Sequence, residues 1–386
     1  MSLEKLVDKA LFPACRSSAY FNAASISPMY AEAAKAVLGW QEDVAYNGSL
    51  NFDEIAEEEV YQDLHAAAAR LFHADPQDIA VGSSATELMS SLAWAVYPQS
   101  GTNIVSTNAA HPSTIYAWQR VARHAGSQVR LVAAAADGTI DPAQLLAAID
   151  KNTAVVCLSM VEYRTGQLYD LLEIARAAHQ RGALLVVDVT QAAGQVPVDV
   201  ESMGIDALVC AGYKWLCGPF GAAVLYLAPR LQQKLDPGIV GWRSHRVMWE
   251  FRADRLEYAA SAARFEAGTL AYGCAIGLAK AVHFLNEVGI PRILQHNRAI
   301  TDLLLGELER LGGECASPGG VARSSILSIR FPGLDAPRLS QQMNAQNVVV
   351  SERGGVIRIS PHLYNDENDA DRLLEVTRSI LKGANI

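Results

Sequence analysis

Cys210-Ala211-Gly212-Tyr213-Lys214-Trp215-Leu216-Cys217-Gly218-Pro219-Phe220-Gly221 is the stretch on which the fold turns. An apolar run, 207–211, leads straight to a lysine, and a glycine-rich turn then opens a second apolar run, 222–227. Lysine is scarce, with eight in 386 residues, and most of the others fall on helical or loop surface. An amine desolvated at a strand end loses proton affinity and becomes a nucleophile toward carbonyl carbon. The same placement also suits a lysine that simply leaves a strand for solvent.

Outward from this point, apolar runs alternate with helical patterns. Strands are expected at 79–82, 103–106, 128–132, 154–159, 183–187, 207–211 and 222–227, with helices at 87–97, 113–124, 142–149 and 171–181. Continuous Val/Ile/Leu runs separated by helices indicate a largely parallel seven-stranded sheet covered on both faces, an α/β architecture. After Gly268 the texture changes. Helical patterns at 271–288 and 291–311 lead to strands at 325–331, 348–351 and 356–360 and a last helix near 366–382, a smaller α+β unit. The expected division is a large domain over 17–268 and a small one over 269–386, with residues 1–16 packing on the small one.

Half of the residues are hydrophobic and 19% are charged, ordinary for a chain with a substantial core. The formal net charge of -9 opposes nucleic acid and anionic membrane. No apolar run approaches the length of a membrane span or follows Met1 in the manner of a signal peptide. The six cysteines are scattered, with no Cys-x-x-Cys pair, so neither a disulfide framework nor a zinc site is expected. A reduced, cytoplasmic protein without a metal is the expectation.

In open α/β sheets ligands sit beyond the carboxyl ends of the strands, so polar residues there are the candidates. Asp188 closes the apolar run of Leu184-Leu185-Val186-Val187, where an unpaired carboxylate is costly. A pyridinium nitrogen is one partner that would satisfy it; a helix cap or turn is the ordinary alternative. Val81-Gly82-Ser83-Ser84-Ala85-Thr86-Glu87 passes from strand to helix through small residues, which suits phosphate on a helix N-terminus and equally an N-cap with Glu87 as its partner. His111, in Asn108-Ala109-Ala110-His111-Pro112, follows the next strand, placed either to stack on a ring and move protons or to serve the structure.

Taken in this order, the pieces resemble the class V aminotransferase-like enzymes: cysteine desulfurases, selenocysteine lyases, kynureninases and isopenicillin-N-epimerase-like proteins. The resemblance runs from about Tyr20 to Tyr364. It implies the aspartate-aminotransferase-like fold (type I) and pyridoxal 5'-phosphate held as a Schiff base on Lys214. Ala85 and Thr86 match the phosphate-binding turn, His111 the ring-stacking histidine, and Asp188 and Gln191 the contacts to the pyridine nitrogen and phenolic oxygen. Tyr20-Phe21-Asn22-Ala23-Ala24 is similar to the motif beside the substrate, which brings in Asn22 and Ala24. Thr269, in Phe265-Glu266-Ala267-Gly268-Thr269, matches the threonine that reaches the phosphate of the neighbouring subunit, which implies a homodimer with shared sites. Arg358 matches the arginine that grips the substrate carboxylate, a task suited to a guanidinium fork; a surface strand charge is its plainer reading.

Departures from the family pattern narrow the chemistry. Desulfurases carry a nucleophilic cysteine shortly before the carboxylate-binding arginine, whereas Ser351-Glu352-Arg353-Gly354-Gly355-Val356-Ile357 is short and cysteine-free. Glu162-Tyr163-Arg164-Thr165-Gly166-Gln167 and Tyr213 resemble kynureninase, where the equivalent tyrosine contacts the phosphate, although His111 with Gln191 is not that family's usual pair. Gly241-Trp242-Arg243-Ser244 reads either as a substrate entrance or as packing. The expected activity is that of a lyase or aminotransferase acting on an amino acid, with Lys214, His111 and Asp188 catalytic. Epimerisation and decarboxylation are the alternatives, a desulfurase or a non-catalytic cofactor-binding protein less so. A nicotinamide dehydrogenase is disfavoured, because no Gly-x-Gly-x-x-Gly turn follows the first strand.

Overall fold

The computed structural model describes residues 6–383. At its centre is a seven-stranded sheet in the spatial order Ile79–Gly82, Ala223–Leu227, Ala207–Ala211, Leu184–Asp188, Thr153–Ser159, Asn103–Thr107, Gln128–Val132. All seven correspond to runs legible in the sequence. Only Ala223–Leu227 is antiparallel to its neighbours, so the pairing is mainly parallel. The central strands are buried along nearly their whole length, which is why they read as continuous aliphatic runs rather than as alternation. Gly82 and Ala211 both pair with Ala223, so the carboxyl ends of their strands share one edge of the sheet with Asp188 and Ser159.

Helices Ala85–Val96, Pro112–Ala125, Pro142–Ala148 and Leu171–His179 connect the strands. Two further helices, Ala31–Asn47 and Gln62–Phe72, lack a counterpart in the sequence reading and pack on Tyr272–Val288. The C-terminal part builds a four-stranded antiparallel sheet in the order Ser351–Glu352, Ile357–Ile359, Leu327–Arg330, Glu314–Cys315. Helices Ile290–Arg310 and Glu367–Gly383 pack together over the same part of the chain. The single strand expected over 348–351 is two. Val348–Val349 runs parallel to Ala19–Tyr20, while Ser351–Glu352 pairs with Ile357–Ile359.

The hydrophobic interior falls into two clusters. The larger surrounds the seven-stranded sheet and takes in Leu278 and Leu285 of the helix Tyr272–Val288. The smaller joins Ala19 and Phe21 to Leu304, Leu327, Ile357 and Leu373. The N-terminal segment touches both parts, since Phe12 lies in the larger cluster and Lys9 pairs with Asp366 and Asp369. Among the described residues no helix is long and apolar enough to cross a membrane.

Candidate active site

At the carboxyl edge of the large sheet, one pocket is lined by Ser84, Ala85, Thr86, His111, Ser113, Ser159, Tyr163, Asp188, Thr190, Gln191, Ala211, Tyr213 and Lys214. Seven of the residues singled out in the sequence thus meet in one place, although they span 130 positions of the chain.

The turn that presents Lys214 is tightly built. Cys217 N–H donates to the Lys214 carbonyl at 2.8 Å, and Gly218 N–H donates to the Gly212 carbonyl at 2.9 Å. Beneath it Gly194, at φ +99°, lies so close that a Cβ there would meet the Trp215 carbonyl oxygen at 2.2 Å. Only glycine allows both that φ and that approach. Trp215 is fully buried and its indole N–H donates to Gln191 Oε1 at 2.8 Å. Gln191 Nε2 donates in turn to the Ala24 carbonyl at 2.9 Å. Gln191 therefore serves the frame as well as the pocket, with one amide hydrogen uncommitted to these partners. Burial pushes the Lys214 ammonium down to about 8, against the opposing pull of Asp188 and with help from the positive charges of Arg358 and Arg353.

Asp188 is buried, with Thr190 N–H donating to Oδ1 and the Thr114 hydroxyl to Oδ2, both at 2.9 Å. Two donors fix the carboxylate and leave lone pairs for a third. Ser84, extended in front of the helix Ala85–Val96, caps it by accepting from Glu87 N–H at 3.1 Å. The N–H groups of Ala85 and Thr86 have no intrahelical partner at this helix start, an arrangement that suits an anion. The cap at Ser84 takes up Glu87 N–H and leaves those two donors free. His111 caps the helix Pro112–Ala125, its Nδ1 accepting from Ser113 N–H at 3.3 Å. Burial and the Lys214 charge lower its proton affinity, and its ring meets Tyr163 edge-on at 5.5 Å. Tyr213 stacks on Phe220 at 4.4 Å.

The remaining candidates sit beside the pocket. Arg358, on Ile357–Ile359, is 1% exposed and donates to the Tyr163 carbonyl at 2.7 Å and to Ser25 Oγ at 2.5 Å. Asn22 bridges to Ser360, with its side-chain oxygen buried and unpartnered. Thr269 is exposed and does not line this pocket. Trp242 and Arg243 do not line it either. The Arg243 guanidinium lies 4.7 Å from the Tyr61 ring and donates to the Glu57 carbonyl, while Trp242 packs on Trp249 at 5.2 Å. Thr114, Tyr163, Ser25 and Arg353 escaped the sequence reading as site residues. Arg353 had a visible signal, a second arginine five positions before Arg358.

No group of three or more metal-ligating side chains occurs among the described residues. All six cysteines are free. Cys217 is buried with Sγ 3.3 Å from Ser27 Oγ, and burial pushes its thiol up to about 12.

The family model described as aminotransferase class V matches residues 20–373. A probable cysteine desulfurase of Methanothermobacter thermautotrophicus is 27% identical, covering 95% of this chain and 96% of its own length. YcbU of Bacillus subtilis, described as an uncharacterised aminotransferase, is 26% identical over 94% of each chain. Among solved structures, the cystine C–S lyase C-DES, in complex with its reaction product cysteine persulfide, superposes with a TM-score of 0.86 at 24% identity, covering 94% of this chain and 98% of that one.

Proposed function

The chain belongs to the aminotransferase class V family and is a pyridoxal 5'-phosphate enzyme, and we propose that it works on the α-carbon of an amino acid, as a lyase or aminotransferase, through Lys214. The observation that carries this reading is a lysine whose proton affinity is brought near neutrality, in one pocket with a buried, doubly anchored carboxylate and a helix start.

These residues fit the cofactor. The helix start at Ala85 and Thr86, with Tyr213, suits its phosphate; His111 suits the face of the ring, Asp188 the ring nitrogen and Gln191 the phenolic oxygen. When bound, pyridoxal phosphate supplies a protonated ring that withdraws the electron pair of a bond broken at the α-carbon. Asp188 favours that protonated nitrogen, because a carboxylate fixed by two donors presents its charge without reorganising. Arg358, with Asn22 and Ala24 alongside, takes the substrate carboxylate. Lys214, poised at about 8, both accepts and returns a proton near neutral pH.

Two features argue against sulfur transfer through a protein persulfide. Segment 351–357 has no cysteine, and Cys217 is buried as a thiol rather than a thiolate. In this reading sulfur from any sulfur-containing substrate leaves with the substrate fragment or as free sulfide; cysteine persulfide is the reaction product of the lyase C-DES. Thr269 serves the neighbouring subunit's site in a homodimer. Its exposure away from its own pocket supports this, as do the exposed Leu38, Tyr46 and Leu50. The small domain is assigned to 269–386, with its own sheet and core in support and Tyr272–Val288 as the connecting helix. Six free cysteines support a reducing, cytoplasmic setting.

The test is a screen of amino acids against the holoenzyme, by change in cofactor absorbance and by product analysis. A 2-oxo acid with released ammonia supports a lyase, and a 2-oxo acid formed only with an added oxo-acid acceptor supports an aminotransferase. Absence of any response across the panel contradicts the reading.

A further inference from the structure

Two guanidinium groups converge on one hydroxyl beside the pocket. Arg358 Nη2 donates to Ser25 Oγ at 2.5 Å, and Arg353 Nη2 donates to the same oxygen at 3.1 Å. The two Nη2 nitrogens are therefore no further apart than those two bonds laid end to end. Their other partners are neutral backbone carbonyls: Tyr163 for Arg358 at 2.7 Å and Glu352 for Arg353 at 2.6 Å. Among the described residues, neither has a carboxylate within ion-pair distance. Arg264, another buried arginine, has Asp236 at 3.8 Å. Arg358 also leaves its Nε buried without a partner.

This arrangement is costly unless something anionic arrives. Burial first, and then the neighbouring Arg353 charge, push the Arg358 guanidinium down to about 9, the direction expected for a buried cation with a like charge beside it. The pair is also held in place. Ser351–Glu352 and Ile357–Ile359 form a hairpin in which Ser351 pairs with Arg358. Its turn uses Gly354 and Gly355 at positive φ, Arg353 N–H donates to the Val356 carbonyl at 3.0 Å, and Arg164 Nη2 donates to the Gly354 carbonyl at 2.9 Å. Arg358 is tied to the pocket through the carbonyl of Tyr163, a residue that lines it.

One carboxylate needs one fork. The Nε of Arg358 and its uncommitted Nη hydrogens are enough to hold a single carboxylate side-on. Arg353 brings a second fork that the substrate's α-carboxylate does not require. We propose that Arg353 sets specificity, and that the substrate is a short amino acid with a second anionic group, its α-carboxylate on Arg358 and its second acid on Arg353. The closeness of the two forks favours acids separated by about the length of a four-carbon diacid. This rests on the amino-acid reading above and names the class of amino acid.

Calorimetric titration of the holoenzyme with succinate and with butyrate tests it, because the two differ by one carboxylate. Succinate is expected to bind roughly 10- to 100-fold more tightly, the span of one charge-assisted pair. Arg353→Gln is expected to erase that preference and leave butyrate within about twofold, and Arg353→Lys to keep part of it. Equal binding of the two acids by the unmodified protein overturns the proposal. So does a uniform loss for both acids in Arg353→Gln, which puts both arginines on one carboxylate. The absorbance of the lysine-bound cofactor, recorded on the same samples, separates the two readings. If Lys214 takes up no cofactor the amino-acid reading fails, whereas a normal holoenzyme without a diacid preference removes this inference alone.

Discussion

Glu162→Gln isolates a buried acid that the proposed chemistry does not use. Glu162 is 1% exposed, and its Oε1 accepts from the Tyr169 hydroxyl at 2.8 Å and from Thr107 Oγ1 at 3.2 Å. Thr107 Oγ1 in turn accepts from Ala110 N–H, next to His111, so this acid braces the turn that carries the histidine. Burial raises its pKa from 4.5 to about 7. The folded-state value lies above the unfolded one, so the native protein keeps a proton that the unfolded chain has released between those pH values. The stability held by the neutral acid is complete below 4.5, falls as pH rises, and is lost above about 7. At 1.36 kcal/mol per unit, the loss is on the order of 3 kcal/mol. Glutamine keeps the acceptor oxygen and has no charge to bury. Urea unfolding of both proteins from pH 5 to pH 8, at equal cofactor loading, should show the unmodified protein losing most of that 3 kcal/mol relative to the variant. Parallel profiles would refute the placement of a neutral carboxylic acid at this position.

Other substitutions test the frame and the pocket separately. Asp188→Asn keeps an acceptor for Thr114 and Thr190 but removes the charge proposed to hold the ring nitrogen. Turnover should fall by about 3–5 kcal/mol of activation free energy with cofactor still bound, and near-normal steady-state rates would contradict the assignment. Arg358→Ala should weaken carboxylate-bearing substrates by about 1.5–3 kcal/mol in a binding titration while leaving the resting cofactor spectrum unchanged. Gly194→Ala pushes a methyl group into the Trp215 carbonyl and should cost at least about 2 kcal/mol in denaturant unfolding. Mass spectrometry of protein incubated with cysteine or cystine should find no persulfide on Cys217 or any other cysteine. A stoichiometric persulfide, with turnover lost in the matching Ser variant, would restore the desulfurase reading.

What could be read in advance divides along the range of the interactions. The strands of the large sheet are legible because burial on both faces writes itself into local composition, and Lys214 and Asp188 stand out as polar residues ending such runs. The split of 348–351 is not legible, since pairing with Ala19–Tyr20 on one side of Val350 and with Ile357–Ile359 on the other is decided by distant chain. Thr114 is hidden for the same reason: its hydroxyl reaches Asp188 across 74 positions once the helix Pro112–Ala125 docks. Arg353 is visible in the sequence, but only as part of a segment without cysteine. Gln191 shows a subtler limit. The family resemblance assigns it to the cofactor, while its amide ties Trp215 to Ala24.

Lys214, alone among the eight lysines, is proposed to carry the cofactor. Reduction of the purified, pyridoxal-phosphate-loaded protein with borohydride, followed by proteolysis and mass spectrometry, tests it directly. One phosphopyridoxyl group per chain is expected, on the peptide containing Gly212-Tyr213-Lys214-Trp215, and none in Lys214→Ala. A reduced adduct on a different lysine, or no adduct from a protein that remains folded, would contradict it.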